Sequence, residues 1–340
     1  MSPDYRVGAI DQTGLETDPA AEGDTPWSDE PEKRESLVPS ALHAARLDKA
    51  VVAFVPEFSR SHVQALIESG HVWVEDRPVT SASRKVLAGQ RIVVELVPTP
   101  QSQAFRPEPV PLSVVFEDEH LLVIDKPAGL VVHPAAGNWS GTVLNGLLAR
   151  HAGAAALPRA GIVHRLDKDT SGLMVVGKTL QTVTALVRAI AARDVHREYL
   201  AIAHGAMSRG TLRIDAPVGR DPQSRIRMAV VASGKHATTD VELLLRSDTF
   251  SGLRCTLHTG RTHQIRVHLA SRGHPLVADA VYGGAPALGM QRQALHAARL
   301  ELHHPAHHGL LSFRAPPPED FAAAWQQIDP DSPAVPAWIQ

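Results

Sequence analysis

Cysteine, aromatic residues and long apolar runs are all scarce in this chain, and each scarcity removes a class of protein. Among 340 residues there is one cysteine, Cys255, which rules out an internal disulfide framework and any zinc site built on several thiolates. A single thiol also fits a reducing compartment. The longest uninterrupted apolar run, residues 50–55, is far too short to span a bilayer. The first residues are acidic and lack a basic start followed by an apolar core, so no secretory signal is visible and a cytoplasmic protein is expected. There is no internal repeat, no phosphate-cradling glycine loop with Lys-Ser or Lys-Thr, and no strand followed by Gly-x-Gly-x-x-Gly. A nucleotide cofactor therefore has no visible seat. What remains suffices for a sizeable core: hydrophobic residues make up 44%, and the length suggests about two domains.

Charge is unevenly spread. Residues 1–36 hold ten acidic groups against Arg6, Lys33 and Arg34, and residues 318–340 add Glu319, Asp320, Asp329 and Asp331 with no Lys or Arg. The overall charge of −2 therefore hides a body, residues 37–317, that carries +9. That balance is compatible with a polyanionic partner, and equally with an ordinary solvated surface.

Residues 1–36 are rich in Asp, Glu, Pro, Thr and Gly without apolar periodicity, and read as a disordered acidic tail. Order is expected from about residue 40. Leu47, Val51 and Val55 recur at helical spacing, and a second short helix is framed by Ser59 as N-cap, an apolar face of Val63, Leu66 and Ile67, and Gly70 as a stop. A strand at residues 71–75, a turn at 76–78 and a strand at 91–96 complete a compact module over residues 40–97. Five prolines between 98 and 111 read as an extended linker. From residue 112 to about 328 strand patterns dominate, at 114–116, 121–124, 173–176, 198–203, 225–231 and 238–245, with one clear helix over 180–193. Strands outnumber helices and do not alternate with them, which predicts an α+β domain with a mixed, largely antiparallel sheet.

Three clusters could carry chemistry. Residues 164–173 read His-Arg-Leu-Asp-Lys-Asp-Thr-Ser-Gly-Leu, placing Arg165, Asp167, Lys168 and Asp169 in a loop before a strand; such loops commonly hold catalytic groups, although Asp and Ser beside Gly also simply form turns. Residues 258–268 read His-Thr-Gly-Arg-Thr-His-Gln-Ile-Arg-Val-His and open a helix, a plausible anion site. Metal binding there is disfavoured, because histidines five apart do not share a helical face; at His303, His304, His307 and His308 the intervening Pro305 breaks any helix. Tyr199, one of three tyrosines, lies in a strand and suits either a core position or a stacking face for a base.

Together these segments resemble the RluA family of pseudouridine synthases. Residues 164–173 are similar to its HRLD-x-x-T-S/T-G-L motif, residues 197–200 to its R-E-Y segment, and residues 259–268 to its TGRTHQIRVH segment. Residues 125–134, 141–145 and 273–284 agree further, so that nearly all of 112–317 is covered. Residues 46–49 and 59–74 resemble the RNA-binding domain named after ribosomal protein S-four, an arrangement similar to the branch of the family that modifies large-subunit ribosomal RNA. The resemblance implies isomerisation of uridine within RNA without a cofactor; a monomer is expected. It implies that Asp167 is the catalytic carboxylate, Arg266 its basic partner, Tyr199 the ring that stacks on the target uracil, and Arg165 the side chain that fills the gap left by the flipped nucleotide. Arg46, Lys49, Arg60, Arg84 and, in the larger domain, Arg261 would meet RNA phosphates. A transfer RNA or other structured RNA as substrate, or a non-catalytic RNA-binding assembly factor, are the alternatives; the intact set of Arg165, Asp167, Tyr199 and Arg266 counts against the last.

Overall fold

The computed structural model describes residues 31–98, 104–135, 137–208, 210–224, 226–333, 336 and 339, and the chain divides into two compact units, residues 1–99 and 100–340. Most of the expected acidic tail, residues 1–30, lies outside the described residues. Its last part is not irregular: β1 (Glu32–Leu37) pairs antiparallel with β4 (Arg91–Leu96) along the whole length of both. This strand has almost no apolar pattern. It is held by the backbone ladder and by cross-strand pairs, Lys33 with Glu95 at 3.5 Å and Glu35 with Arg91 at 2.9 Å, which composition alone does not reveal.

Two helices cover the small sheet of the first unit. In α1 (Leu47–Phe54) and α2 (Arg60–Glu68) the periodic residues Leu47, Val51, Val63, Leu66 and Ile67 are buried against Val72, Val74, Ile92 and Val94 of the strands. The Ser59 hydroxyl accepts the His62 N–H at 3.3 Å, and Gly70 takes a φ of +82°, so cap and stop lie where the sequence sets them. The hairpin turn falls earlier than expected. Glu75 and Asp76 take positive φ, and Arg77 already belongs to β3 (Arg77–Pro78), which pairs with β2 (Val72–Val74).

The second unit is built on a nine-stranded sheet. In spatial order its path is β5 (Ser113–Glu117), β6 (Leu121–Lys126), β7 (Ser171–Gly177), β14 (Leu295–His303), β8 (His196–His204), β13 (Phe250–Leu257), β12 (Thr238–Arg246) and β9 (Thr211–Asp215), with β15 (Leu310–Arg314) on β14. Among the described residues only β14 and β7 run parallel, so the sheet is mixed and largely antiparallel, in an α+β arrangement. Of the strand expected at 225–231, residues 226–231 do not join it. Arg225 lies outside the described residues, and β11 (Met228–Val230) forms a separate hairpin with β10 (Val218–Arg220).

Alternation along the central strands divides the core in two. Tyr199, Ala201, Leu253, Cys255 and Ala297 face one side, with α3 (Val143–Arg150) and α5 (Gln264–Ser271) packed on it; Leu200, Ile202 and Ala298 face the other, under α6 (Glu319–Ile328). The helix expected over 180–193 is α4 (Leu180–Ala192), with Val183 and Leu186 buried and Val187 half exposed. The proline-rich stretch is not a free linker throughout. Ala104 is buried, and the Asn145 side-chain amide donates to the carbonyls of Ala104 and Arg106, at 3.2 and 2.8 Å. Residues 99–103 lie outside the described residues.

Candidate active site and nucleic-acid interface

The segment carrying Asp167 has little secondary structure of its own, so its position depends on what grips it. Lys126, at the end of β6, is fully buried and donates to the carbonyls of Pro127, Leu130 and Lys168 at 2.8 to 2.9 Å. The Lys168 carbonyl also accepts the Gly129 N–H at 2.9 Å. Burial pulls the Lys126 ammonium down to about 8, while Asp169 and Asp167 nearby support its charge. On the other flank Arg292 donates to the Asp169 carbonyl at 3.0 Å and Gln293 to the Thr170 hydroxyl at 3.1 Å. Gly172 then passes so close to β14 that a Cβ there would lie 2.2 Å from the Ala297 carbonyl oxygen, and its φ of +112° suits glycine alone. The residues that follow Asp167 are thus anchored, and its carboxylate projects, 16% exposed, into a cavity of about 890 Å³.

Arg266 meets it there. Its Nη1 donates to Asp167 Oδ2 at 2.9 Å, while Nε and Nη2 form a bidentate pair with Asp279 at 2.7 and 2.8 Å. The guanidinium and Asp279 are almost wholly buried, at 5% and 1% exposure. The Asp279 fork fixes the plane of the guanidinium and leaves one edge for Asp167. Hydrogen bonds and charge from Asp279 and Asp167 outweigh burial and hold Arg266 more basic than usual. Beneath it lies the ring of Tyr282, 5.0 Å from the guanidinium carbon.

His263 completes the surround. It caps α5 in the left-handed region, φ +55°, and its Nε2 lies 3.8 Å from Asp167 Oδ1. The Tyr282 hydroxyl accepts the Met228 N–H at 3.0 Å and so has its proton to give to His263 Nδ1, 2.8 Å away. That assignment turns an Nε2–H toward Asp167. Burial lowers the His263 pKa and keeps the ring neutral at neutral pH.

The cavity joins the sequence-derived residues closely. Arg165, Asp167, Tyr199, Arg261 and Arg266 all line it. Tyr199 is buried and feels the charge of Asp167; burial pushes its phenol up, so it is a neutral ring. Arg165 is exposed on the rim, and Arg261 donates from Nε to the His236 carbonyl at 3.0 Å. Sequence reasoning missed Asp279, Tyr282, His263 and Lys126 as members of the site. A lone acid inside the apolar stretch 276–282 is the signal that marks Asp279.

The other expected basic residues belong to the first unit. Asp48, fully buried in α1, accepts Arg46 through both carboxylate oxygens at 3.0 Å, Arg60 at 2.9 Å and the Gln64 amide at 2.9 Å. The Arg84 carbonyl accepts the Leu47 N–H at 2.7 Å, and Lys49 is exposed on the next residue of α1. Arg46, Lys49, Arg60 and Arg84 are therefore gathered around one end of α1, an exposed basic cluster. Arg77 and Lys85 are exposed on the same unit.

Comparison with known proteins agrees with this geometry. Residues 120–271 match the family model described as RNA pseudouridylate synthase, and residues 45–92 match the S4 domain. The chain is 46% identical over 319 residues to a ribosomal large subunit pseudouridine synthase D of Neisseria meningitidis serogroup B, covering 90% of this chain and 84% of the relative. A protein of the same description from Xanthomonas campestris is 46% identical over 313 residues, 88% of this chain and 93% of the relative. Among solved structures, human RNA pseudouridylate synthase domain containing 1 superposes with a TM-score of 0.50 at 27% identity, over 62% of this chain and 85% of the other. The chain belongs to the RNA pseudouridylate synthase family and carries an S4 domain ahead of the catalytic one. It is an enzyme that isomerises uridine in RNA to pseudouridine.

Proposed function

We propose that the substrate is large-subunit ribosomal RNA, and that Asp167 carries the chemistry on a uridine extruded into the cavity. The reaction is an isomerisation: the bond from uracil nitrogen 1 to the sugar breaks, a bond from carbon 5 to the same sugar carbon forms, carbon 5 loses its proton, and nitrogen 1 takes one up. No electrons are gained or lost overall, so side chains able to hold charge and move protons suffice. The carrying observation is the Arg266–Asp167 contact at 2.9 Å at the wall of a cavity that also exposes Tyr199. A guanidinium clamped by Asp279 orients the carboxylate without competing for its free oxygen lone pairs. Tyr199 is the ring for the uracil face, and Arg165 on the rim takes the space in the helix that the extruded nucleotide leaves.

The S4 domain supplies phosphate contacts through Arg46, Lys49, Arg60 and Arg84, and Arg261 supplies one at the cavity wall. The large-subunit substrate follows from the 46% identity to relatives named for it, and a ribosomal substrate fits a cytoplasmic enzyme, acting as a monomer. The test is to incubate the purified protein with ribosomal and transfer RNA lacking pseudouridine and to map the product. Pseudouridine in large-subunit RNA alone is expected; product in transfer RNA alone would overturn the substrate assignment.

A further inference from the structure

Arg197 is a buried cation that the fold leaves without a counter-charge. It stands two residues before Tyr199 on β8, so alternation turns both side chains to the face that borders the cavity, and both line it. Arg197 is only 5% exposed, yet its Nε is shielded without a hydrogen-bond partner, and the guanidinium forms no ion pair among the described residues. Buried arginines are ordinarily paired, as Arg266 is with two carboxylates a few ångströms of sequence-distant chain away. The neighbouring acid in the strand, Glu198, turns to the opposite face and lies 3.7 Å from Arg299.

A second unsatisfied donor sits beside it. The Val175 N–H donates to His164 Nε2 at 3.1 Å, so the neutral ring carries its proton on Nδ1, which is also shielded and unpartnered. The two residues are close enough for the charge of Arg197, together with burial, to hold His164 down to about 3. Opposite them the backbone makes room. A Cβ at Gly260 would lie 2.9 Å from Arg197 Nη1, so any larger residue at 260 would press on the guanidinium. Arg193 and Arg261 line the same cavity and add positive potential.

We propose that Arg197, through the Nη edge of its guanidinium, is a subsite for one backbone phosphate of the RNA substrate. The inference rests on the reading of the chain as an enzyme acting on RNA. RNA is then the source of the missing negative charge, and a guanidinium with its donors free matches the two charged oxygens of a phosphodiester better than a neutral uracil carbonyl. The uncompensated charge costs stability in the free protein and is offset only when substrate is bound.

The test uses the full chain and an RNA fragment that the wild-type protein modifies, carrying one uncharged methylphosphonate linkage at a time around the target uridine. In the wild type, one linkage is expected to weaken binding by roughly 10- to 100-fold. Arg197→Gln is expected to bind unmodified RNA weaker by a similar factor and to show no further loss at that same linkage, and Arg197→Lys should recover part of the affinity. Without RNA, Arg197→Met should melt at the same or a higher temperature than the wild type, which a merely structural arginine would not allow. Equal losses at every linkage in wild type and Arg197→Gln would overturn the subsite, as would slower turnover at unchanged RNA affinity, which would instead assign Arg197 to the base. If the wild type forms pseudouridine in no ribosomal or transfer RNA, so that no such fragment exists, the enzymatic reading fails and this inference with it; product formation with uncoupled linkages overturns the phosphate subsite alone.

Discussion

A buried cluster of aspartate and arginine in the first unit and another in the second are built in opposite senses. Around α1 the acid is inside: Asp48 is fully buried, while its partners Arg46 and Arg60 are 47% and 60% exposed. In the catalytic unit the base is inside: Arg266 is 5% exposed between Asp279 and the cavity-facing Asp167. The same pair of residue types therefore presents cations to solvent in one place and a carboxylate to a cavity in the other. Which partner is buried decides what the cluster can do: oriented guanidinium groups suit phosphates, and a held carboxylate suits bond-making.

The sharpest way to break the comparison is Asp167→Asn, which keeps the shape but removes the charge. Pseudouridine formation should fall by about 10⁴-fold or more with RNA affinity within a few fold, measured in single-turnover assays and by filter binding. Asp279→Asn should come next. It leaves the buried Arg266 with one fewer carboxylate, so the expected cost is roughly 3–5 kcal/mol of stability, with a lower kcat and a smaller change in KM, read from denaturant melts and steady-state kinetics.

Asp48→Asn sharpens the contrast, because the arginines it releases already reach water. A loss of about 1–2 kcal/mol and a several-fold weaker RNA complex are expected, with turnover of bound RNA unchanged. The pH dependence has a definite sign. Hydrogen bonds from Arg46, Gln64 and Arg60 depress the Asp48 pKa well below the carboxylate range, against the opposing effect of burial. Its stabilising contribution is therefore complete above the unfolded value of about 3.9 and is lost as pH falls below it toward the folded value. Acid titration of stability should be shallower in Asp48→Asn than in the wild type. A smaller effect is expected from Arg84→Ala: a few-fold weaker binding across RNA sequences, with the salt dependence of affinity reduced by about one in slope. The smallest is none at all. Cys255 is buried in the sheet, which pushes its thiol up to about 12, so a maleimide should label it only after unfolding.

How much of this was legible in the sequence depended on whether a residue's neighbours were local. The α1 and α2 faces, the Ser59 cap and the Gly70 stop are set by contacts within a turn or two, and they fold as read. The segments around Asp167 and Arg266 stood out as dense in polar side chains, the resemblance to the family singled out the two residues, and the structure brings them together across 99 residues of chain. Asp279 and Lys126 were not singled out, because a lone acid within an apolar stretch and a lysine beside Asp125 at the end of one carry no local sign of a partner. Only the long-range pairs, Asp279 to Arg266 and the Lys126 ammonium to the Lys168 carbonyl, give them a role. Strands β1 and β14 were missed for a related reason. β1 is polar and held by cross-strand partners, and β14 mixes His, Arg and Glu with its buried residues although it lies at the centre of the sheet. Arg165, Tyr199 and Arg261 line the cavity, and the roles given to them are proposals that the RNA complex tests.

The most direct measurement is an experimental structure of the full chain bound to an RNA fragment whose modified uridine is replaced by 5-fluorouridine, in which carbon 5 carries a fluorine that cannot leave as the proton does. The account predicts the base extruded against Tyr199, with an Asp167 oxygen within about 3.5 Å of the sugar or base atoms that react and Arg266 still bound to that carboxylate. A base docked away from Tyr199, with Asp167 turned out of reach, would contradict it.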